Sequence, residues 1–254
     1  MAWIAPTQPF DPERLGAPVV GIRSELRDHD SGTHGHGMGQ VLFTRSGCTR
    51  IEMDRPALLC LLPPTRAAWI PPGVPHRARI RQAAEYRSVY FAPGLCERLP
   101  ATPRILSVAP LLRELLERLS SAPFDTDWNE GRAFHLAALC IEELIAAPGE
   151  LMLLPLPADR RLVALHGQDL PPPLYALASR VGASERTLAR LVKRDTGLSY
   201  QQWRQQCRLM RAVERLGVGE RLTDVALELG FSSDSAFIAF FRGMTGTTPR
   251  AYFR

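Results

Sequence analysis

From Pro18 to about Pro93 short apolar-rich runs are punctuated by turn residues, a pattern that predicts strands. Seven runs carry the pattern: Val19–Leu26, Gln40–Arg45, Thr49–Met53, Leu58–Leu62, Ala68–Ile70, Ala78–Ile80 and Arg87–Phe91. Ser46-Gly47, Pro63-Pro64 and Pro71-Pro72-Gly73 separate them. Many short strands at this spacing predict a sandwich or barrel. The pattern then changes to that of a helix. In 108–120, Leu111, Leu112, Leu115, Leu116 and Leu119 form one stripe. A second helix is predicted from Trp128 to Ala146, with Phe134, Leu136, Ala137, Leu139, Cys140, Ile141, Leu144 and Ile145 as its apolar content. Pro148-Gly149 through Pro157 reads as a linker, and helical periodicity resumes near Ala158–His166. The expected class is α+β, with a β domain and its helices ahead of an all-α domain.

Within the all-α part the same helix-turn-helix pattern occurs twice. The first copy runs from Leu174 through Ala178, Gly182 and Ser184 to Leu188. The second runs from Leu222 through Ala226, Gly230 and Ser233 to Phe237. One residue is inserted after the second glycine, and both copies close on Thr-Gly, at Thr196-Gly197 and Thr245-Gly246. Gly182 and Gly230 stand where the chain must reverse, and Ser184 and Ser233 are good caps for the helices that follow. Leu188, Leu191 and Val192 make one buried stripe; Phe237, Phe240, Phe241 and Met244 make the other. A doubled motif suits one chain that reaches two successive major-groove faces of a duplex.

The opposite faces differ. Arg186, Arg190, Lys193 and Arg194 share one side of the first recognition helix, and arginine is the commonest reader of guanine in the major groove. Ser184 and Thr187 join them at its start. The second helix offers Ser233, Asp234, Ser235, Ala239 and Arg242, a face far less cationic. It could read through hydroxyls, a carboxylate or thymine-methyl contacts, or mainly hold phosphates. The solvated face of an amphipathic helix is the plainer reading of such charges, and the in-register duplication weighs against it.

The stretch from about Pro155 to Arg254 resembles the AraC/XylS class of bacterial transcription regulators. The resemblance rests on Leu177 to Leu191, Lys193 to Gly197, Val225 to Phe231, Phe237 to Arg242 and Thr245 to Tyr252. It implies two helix-turn-helix units joined by a long helix, here roughly Tyr200 to Leu216, with Arg204, Arg208, Arg211 and Arg215 at near-helical spacing. It also implies that Arg186, Ala189 and Arg190 face bases in the first unit and Ser235 and Ala239 in the second. Family members often carry an arginine near Ala239, so its absence implies weaker sequence reading by the second unit.

Charge supports this division. The formal net charge is +5, and from His166 onward there are 13 basic and 8 acidic residues, so the rest of the chain is balanced at 18 against 18. Cationic charge on a DNA face supplies affinity by counterion release. Five cysteines, Cys48, Cys60, Cys96, Cys140 and Cys207, are dispersed without a paired motif, as expected in a reducing cytoplasm. No apolar run approaches the ~20 residues of a membrane span, and Met1 to Pro6 does not read as a signal peptide.

Two motifs in the β region carry further chemistry. Gly32-Thr33-His34-Gly35-His36 leads to Gln40 and Gly47, and Trp69-Ile70-Pro71-Pro72-Gly73 leads to His76. Together they resemble the two motifs of the cupin jelly roll. In metal-binding cupins the matching positions, here His34, His36, Gln40 and His76, hold two histidines, a glutamate and a third histidine. Gln40 puts an amide where the carboxylate would stand, which leaves a two-histidine-one-carboxylate iron site incomplete. Three histidines could hold zinc, but they also suit the polar end of an effector pocket, and no cofactor is expected. Trp69 and Tyr90, with Met38 and Phe43, are candidate pocket walls or ordinary core.

The expected function is a cytoplasmic, sequence-specific transcription regulator. A cupin-like sensor domain at 1–105, a helical dimerisation segment at 106–150 and a double helix-turn-helix domain at 155–254 divide the work. Double-stranded DNA, a small-molecule effector, a second copy of the chain and RNA polymerase are the expected partners, and a membrane is not. A cupin metalloenzyme with an appended DNA-binding domain is the alternative, which Gln40 disfavours. A nucleoid-type binder without sequence preference is another, which Arg186 and Arg190 disfavour.

Overall fold

The computed structural model describes residues 10–54, 57–80, 84–149, 152–165 and 170–253. They fall into two compact units. One comprises residues up to Met53 together with Cys60–Met152; the other comprises 54–59 with 153 onward.

The short apolar-rich runs become antiparallel strands, most of them in the first unit. These are β1 (Val19–Leu26), β2 (His29–Asp30), β3 (Gly39–Thr44), β4 (Thr49–Asp54), β5 (Ala57–Leu62), β6 (Arg66–Ile70), β7 (Arg77–Ile80), β8 (Ala84–Phe91) and β9 (Arg104–Ser107). One sheet has the order β1-β8-β3-β6-β9, and a second runs β5-β4-β7-β2. The predicted strands are present with ends shifted by up to three residues. β2, of two residues, and β9, which lies past Pro93 and beyond the stretch that reads as strands, are additions to the predicted set.

Register decides which side chains share a face. Gln40 lies opposite both Ile70 and Tyr90, while Val41 lies opposite Trp69 and Val89. Val19, Val41, Phe43, Trp69, Val89 and Phe91 form a core with two helices, α1 (Pro110–Ser120) and α2 (Gly131–Ala146). From α1 this core takes Leu112, Leu115, Leu116 and Leu119, and from α2 it takes Ala137, Cys140, Ile141 and Leu144. Each buried leucine contributes about 2 kcal/mol. Both helices therefore spend their main stripe on the barrel, which leaves Leu111, Phe134, Leu139 and Ile145 exposed.

Gly21 permits the closest approach in this layer: a Cβ there would fall 1.9 Å from the Leu119 carbonyl oxygen. Arg87, buried on β8, reaches Glu117 of α1 at 3.2 Å and clasps helix to sheet. Helix α2 begins three residues later than predicted. Asp127 accepts the Asn129 N–H at 2.9 Å and holds Trp128 in a turn.

The second unit holds α3 (Leu174–Val181), α4 (Glu185–Thr196), α5 (Tyr200–Gly217), α6 (Leu222–Glu228), α7 (Asp234–Thr245) and α8 (Pro249–Tyr252). Gly182 and Gly230 have φ of 65° and 77°, the left-handed turn that the repeat requires. Ser184 and Ser233 cap their helices by accepting the N–H of Thr187 and of Ala236, each at 3.2 Å. The inserted residue is accommodated beside Phe231, whose ring packs against Phe237 and Phe240.

Two expectations fail here. The presumed linker contains a strand, β10 (Leu153–Pro155). Its backbone is fully engaged: the Leu153 carbonyl accepts from Gln206 Nε2 at 3.3 Å, and the Pro155 carbonyl accepts from Trp203 Nε1 at 2.8 Å. Leu156 N–H donates to the Ala57 carbonyl at 2.8 Å. The helix expected at Ala158–His166 is a turn followed by a single 3-10 turn, Val163–Leu165. Asp195 Oδ2 accepts the N–H groups of Ala158 and Asp159 at 3.0 and 3.1 Å, so this segment is fastened to α4 instead of winding up. His166 lies outside the described residues.

Candidate functional site

The first recognition helix is α4, and its burial follows its amphipathic pattern. Leu188, Leu191 and Val192 are buried. Arg186, Arg190, Lys193 and Arg194 are exposed on the other side. Their availability differs. Lys193 Nζ donates to the Gly197 carbonyl at the C-terminal end of the helix, and Arg194 pairs with Asp195 at 2.6 Å. Arg186 and Arg190 make no hydrogen bond or ion pair among the described residues, so both guanidinium forks are uncommitted. Ser184 and Thr187 bond to each other at 2.9 Å at the helix start, and Ala189 is half-buried.

The equivalent face of α7 is quieter. Ser235, Ala239 and Arg242 are exposed, and Ser233 is occupied as the cap. Asp234 is tied back to α6, since its Oδ2 accepts from Thr223 Oγ1 at 2.8 Å. The predicted buried stripe is only partly so: Phe237 and Phe241 are fully buried, while Phe240 and Met244 are half-buried.

The arginines of α5 serve the fold. Arg204 donates to the Pro171 carbonyl at 2.7 Å, and Arg208 lies over the Phe231 ring at 5.1 Å. Arg211 pairs with Glu214 at 3.0 Å, and Arg215 pairs with Glu220 and Glu228. Arg204, Arg208 and Arg215 thereby hold flanking segments of the two helix-turn-helix units to the helix that joins them, while the Arg211 pair lies within α5.

In the barrel the two separated motifs meet. His34 and His76 pair through their backbones across an isolated bridge. The ring of His76 lies 4.4 Å from that of His34 and 5.3 Å from that of His36, and Tyr90 stands edge-on to His36 at 5.0 Å. Exposure falls inward from His34 through half-buried His36 to His76, which is 1% exposed. Burial holds the His76 imidazole down to about 4, helped by the neighbouring His34 and His36, so it is neutral near pH 7.

Gln40 sits at the inner end of the cluster. Its Oε1 is 3.2 Å from His36 Nε2, and its Nε2 is 3.2 Å from Tyr86 Oη, 2.8 Å from Ser88 Oγ and 3.2 Å from Tyr90 Oη. Burial raises the pKa of both tyrosines, so they stay as phenols. Tyr86 and Ser88 were missed from sequence. They share the inward face of β8 with Tyr90, and the Tyr-x-Ser-x-Tyr alternation was the available signal.

Trp69 does not join the cluster. It lies on the other face of β6 from Ile70, in the core with α1 and α2, and its indole N–H donates to the Pro100 carbonyl at 2.7 Å. Phe43 lies in the same core, whereas Met38 packs with Val20, Ile22 and Tyr90 beside the pocket. A separate cleft of about 420 Å³ opens between Leu95 and α2, lined by Trp128, Phe134 and Ile141, and contains none of the cluster residues.

A metal does not fit the cluster. An amide replaces the carboxylate, and among the described residues no group of three or more His, Cys, Asp or Glu side chains is placed to hold a metal ion. No helix of the described residues is long and apolar enough to cross a membrane.

Comparison with known proteins fits this arrangement. Residues 16–155 match a family model described as an AraC-like ligand binding domain, and residues 177–254 match a helix-turn-helix domain. The HTH-type transcriptional regulator NimR of Escherichia coli (strain K12) is 32% identical over 251 residues, covering 96% of this chain and 90% of NimR. The HTH-type transcriptional activator RhaS of Escherichia coli O9:H4 (strain HS) is 38% identical over 76 residues, covering 30% of this chain and 27% of RhaS. A structure of ToxT from Vibrio cholerae aligns with a TM-score of 0.36 at 8% identity, covering 93% of this chain and 98% of ToxT. The chain belongs to the AraC/XylS family of transcription regulators, with an AraC-type ligand-binding domain ahead of a helix-turn-helix DNA-binding domain.

Proposed function

We propose that this regulator reads its operator chiefly through α4 and is controlled by a small molecule held at the histidine cluster. Arg186 and Arg190 each present a guanidinium fork able to bond guanine O6 and N7, with Ala189 between them close to the base edges. Ser184, Thr187, Lys193 and Arg194 border that face and suit phosphate contacts. On α7, Ser235, Ala239 and Arg242 form a weaker reading face, with Ser233 and Asp234 holding the helix in place. The observation that carries the reading is the pair of exposed, uncommitted arginines one helical turn apart on α4.

In the sensor, His34, His36, Gln40, His76 and Tyr90, joined by Tyr86 and Ser88, form the polar end of the effector pocket. Strand β8 offers a route outward. Tyr86, Ser88 and Tyr90 face the pocket, while Arg87 between them grips Glu117 of α1. Effector binding then shifts the population of α1 and α2 positions. Exposed Leu111, Phe134, Leu139 and Ile145 suit pairing of these helices with a second copy. The division of labour is a sensor at 1–105, a dimerisation segment at 106–150 and a DNA-binding domain at 155–254. It acts in the cytoplasm, and RNA polymerase is the expected downstream partner. Five free cysteines agree with that compartment.

Selection of genomic fragments by the intact protein at about 0.15 M salt tests this reading. One sharp motif near a few promoters is expected. Retention of all fragments alike, with affinity set only by salt, would contradict it and favour a nucleoid-type binder.

A further inference from the structure

The effector pocket proposed above has a chemical polarity. His34, His36 and His76 each place Nδ1 on a backbone carbonyl, that of Gly32 at 3.1 Å, Met38 at 2.6 Å and Val74 at 3.0 Å. A carbonyl only accepts, so each Nδ1 carries a proton, and buried His76, neutral near pH 7, offers Nε2 as a bare acceptor.

The Gln40 carboxamide adjoins His36 Nε2 through its Oε1 and donates through its Nε2 to three hydroxyls. His36 is thereby satisfied from within the protein, and His76 is not. Its Nε2 is buried without a hydrogen-bond partner among the described residues. Beside the cluster lies an apolar wall of Val20, Ile22 and Met38, with Phe10 packed on Tyr90.

We infer that the effector is a compact molecule with an apolar body that donates one hydrogen bond, from O–H or N–H, to His76 Nε2. An oxyanion would bring a second acceptor to an acceptor, and Gln40 leaves a two-histidine-one-carboxylate metal set incomplete. This rests on the histidine cluster being the effector pocket.

The intact protein, labelled with 15N-histidine, is titrated with phenol, anisole, benzoate and zinc chloride while the imidazole resonances are followed. Phenol donates, anisole has the same ring without the donor, and benzoate is an oxyanion. In the free protein His76 should show the Nδ1–H tautomer. Phenol should move its Nε2 signal, with anisole and benzoate about tenfold weaker or worse. In H76F, phenol should no longer move the His34 and His36 resonances, while the circular dichroism of the parent is kept. Movement of His76 by anisole as readily as by phenol, or by benzoate or zinc at lower concentration, would overturn the donor class and leave the pocket standing. Probes that change DNA binding without moving any of the three histidines would overturn the pocket itself. Failure of all four to move His76 would overturn the inference.

Discussion

The two recognition helices are built on one plan and equipped differently. Both α4 and α7 follow a glycine in the left-handed conformation, both start from a serine cap, and both end on Thr-Gly. On α4 the outward face keeps two arginines with no internal partner. On α7 the corresponding face presents Ser235 and Ala239, and the acidic residue at its start is drawn back to Thr223. The buried positions repeat because each helix must pack against its neighbour, and the caps repeat because each helix start needs one. The remaining exposed positions differ, which is why base reading is proposed for the first unit and positioning of the protein for the second.

Variants can break or sharpen this asymmetry. The largest effect is expected for R186A combined with R190A, which should cost about 2–6 kcal/mol at the selected operator and flatten base preference in one half of the site. Binding isotherms on operator and scrambled DNA measure it, and a loss equal on both would assign the pair to phosphates. R190A alone should cost about 1–3 kcal/mol and relax preference at a single base step, read by substituting each position of the operator. The shared scaffold should respond symmetrically: S184A and S233A should each lower stability by about 1 kcal/mol in urea denaturation. A cap important in only one helix would show that the two units are not folded alike. The smallest effect is expected for A239R. Restoring a cation to α7 should steepen the log-log salt dependence of binding by about 0.9 if it meets one phosphate.

Much of this was legible before any coordinates. Strand β1 spans Val19–Leu26 as expected, and α5 runs one residue past the end that the family resemblance implied. The three histidines meet as the two motifs implied. What failed depended on partners that a single sequence does not display. The sequence leaves Trp69 open between pocket wall and core. Pairing with β3 puts Ile70 on the face of Gln40 and Trp69 on the other, and that register is set between strands. Tyr86 was overlooked because the strand was begun at Arg87, which cut off one member of the inward row. The strand at Leu153–Pro155 reads as a proline-rich linker until Trp203 and Gln206, some 50 residues away, supply its hydrogen bonds. The uncommitted state of Arg186 and Arg190, as against Lys193 and Arg194, also needed the folded geometry, since all four look alike on a helical wheel.

The most direct test is parallel fragment selection with the parent protein, R186A/R190A and S235A/R242A at about 0.15 M salt, with bound DNA sequenced in each case. The expected result is a two-part motif in which the arginine variant loses one part almost completely while the α7 variant weakens the other only slightly. Equal erosion of both parts by either variant, or no motif in the parent, would contradict the assignment of sequence reading to α4.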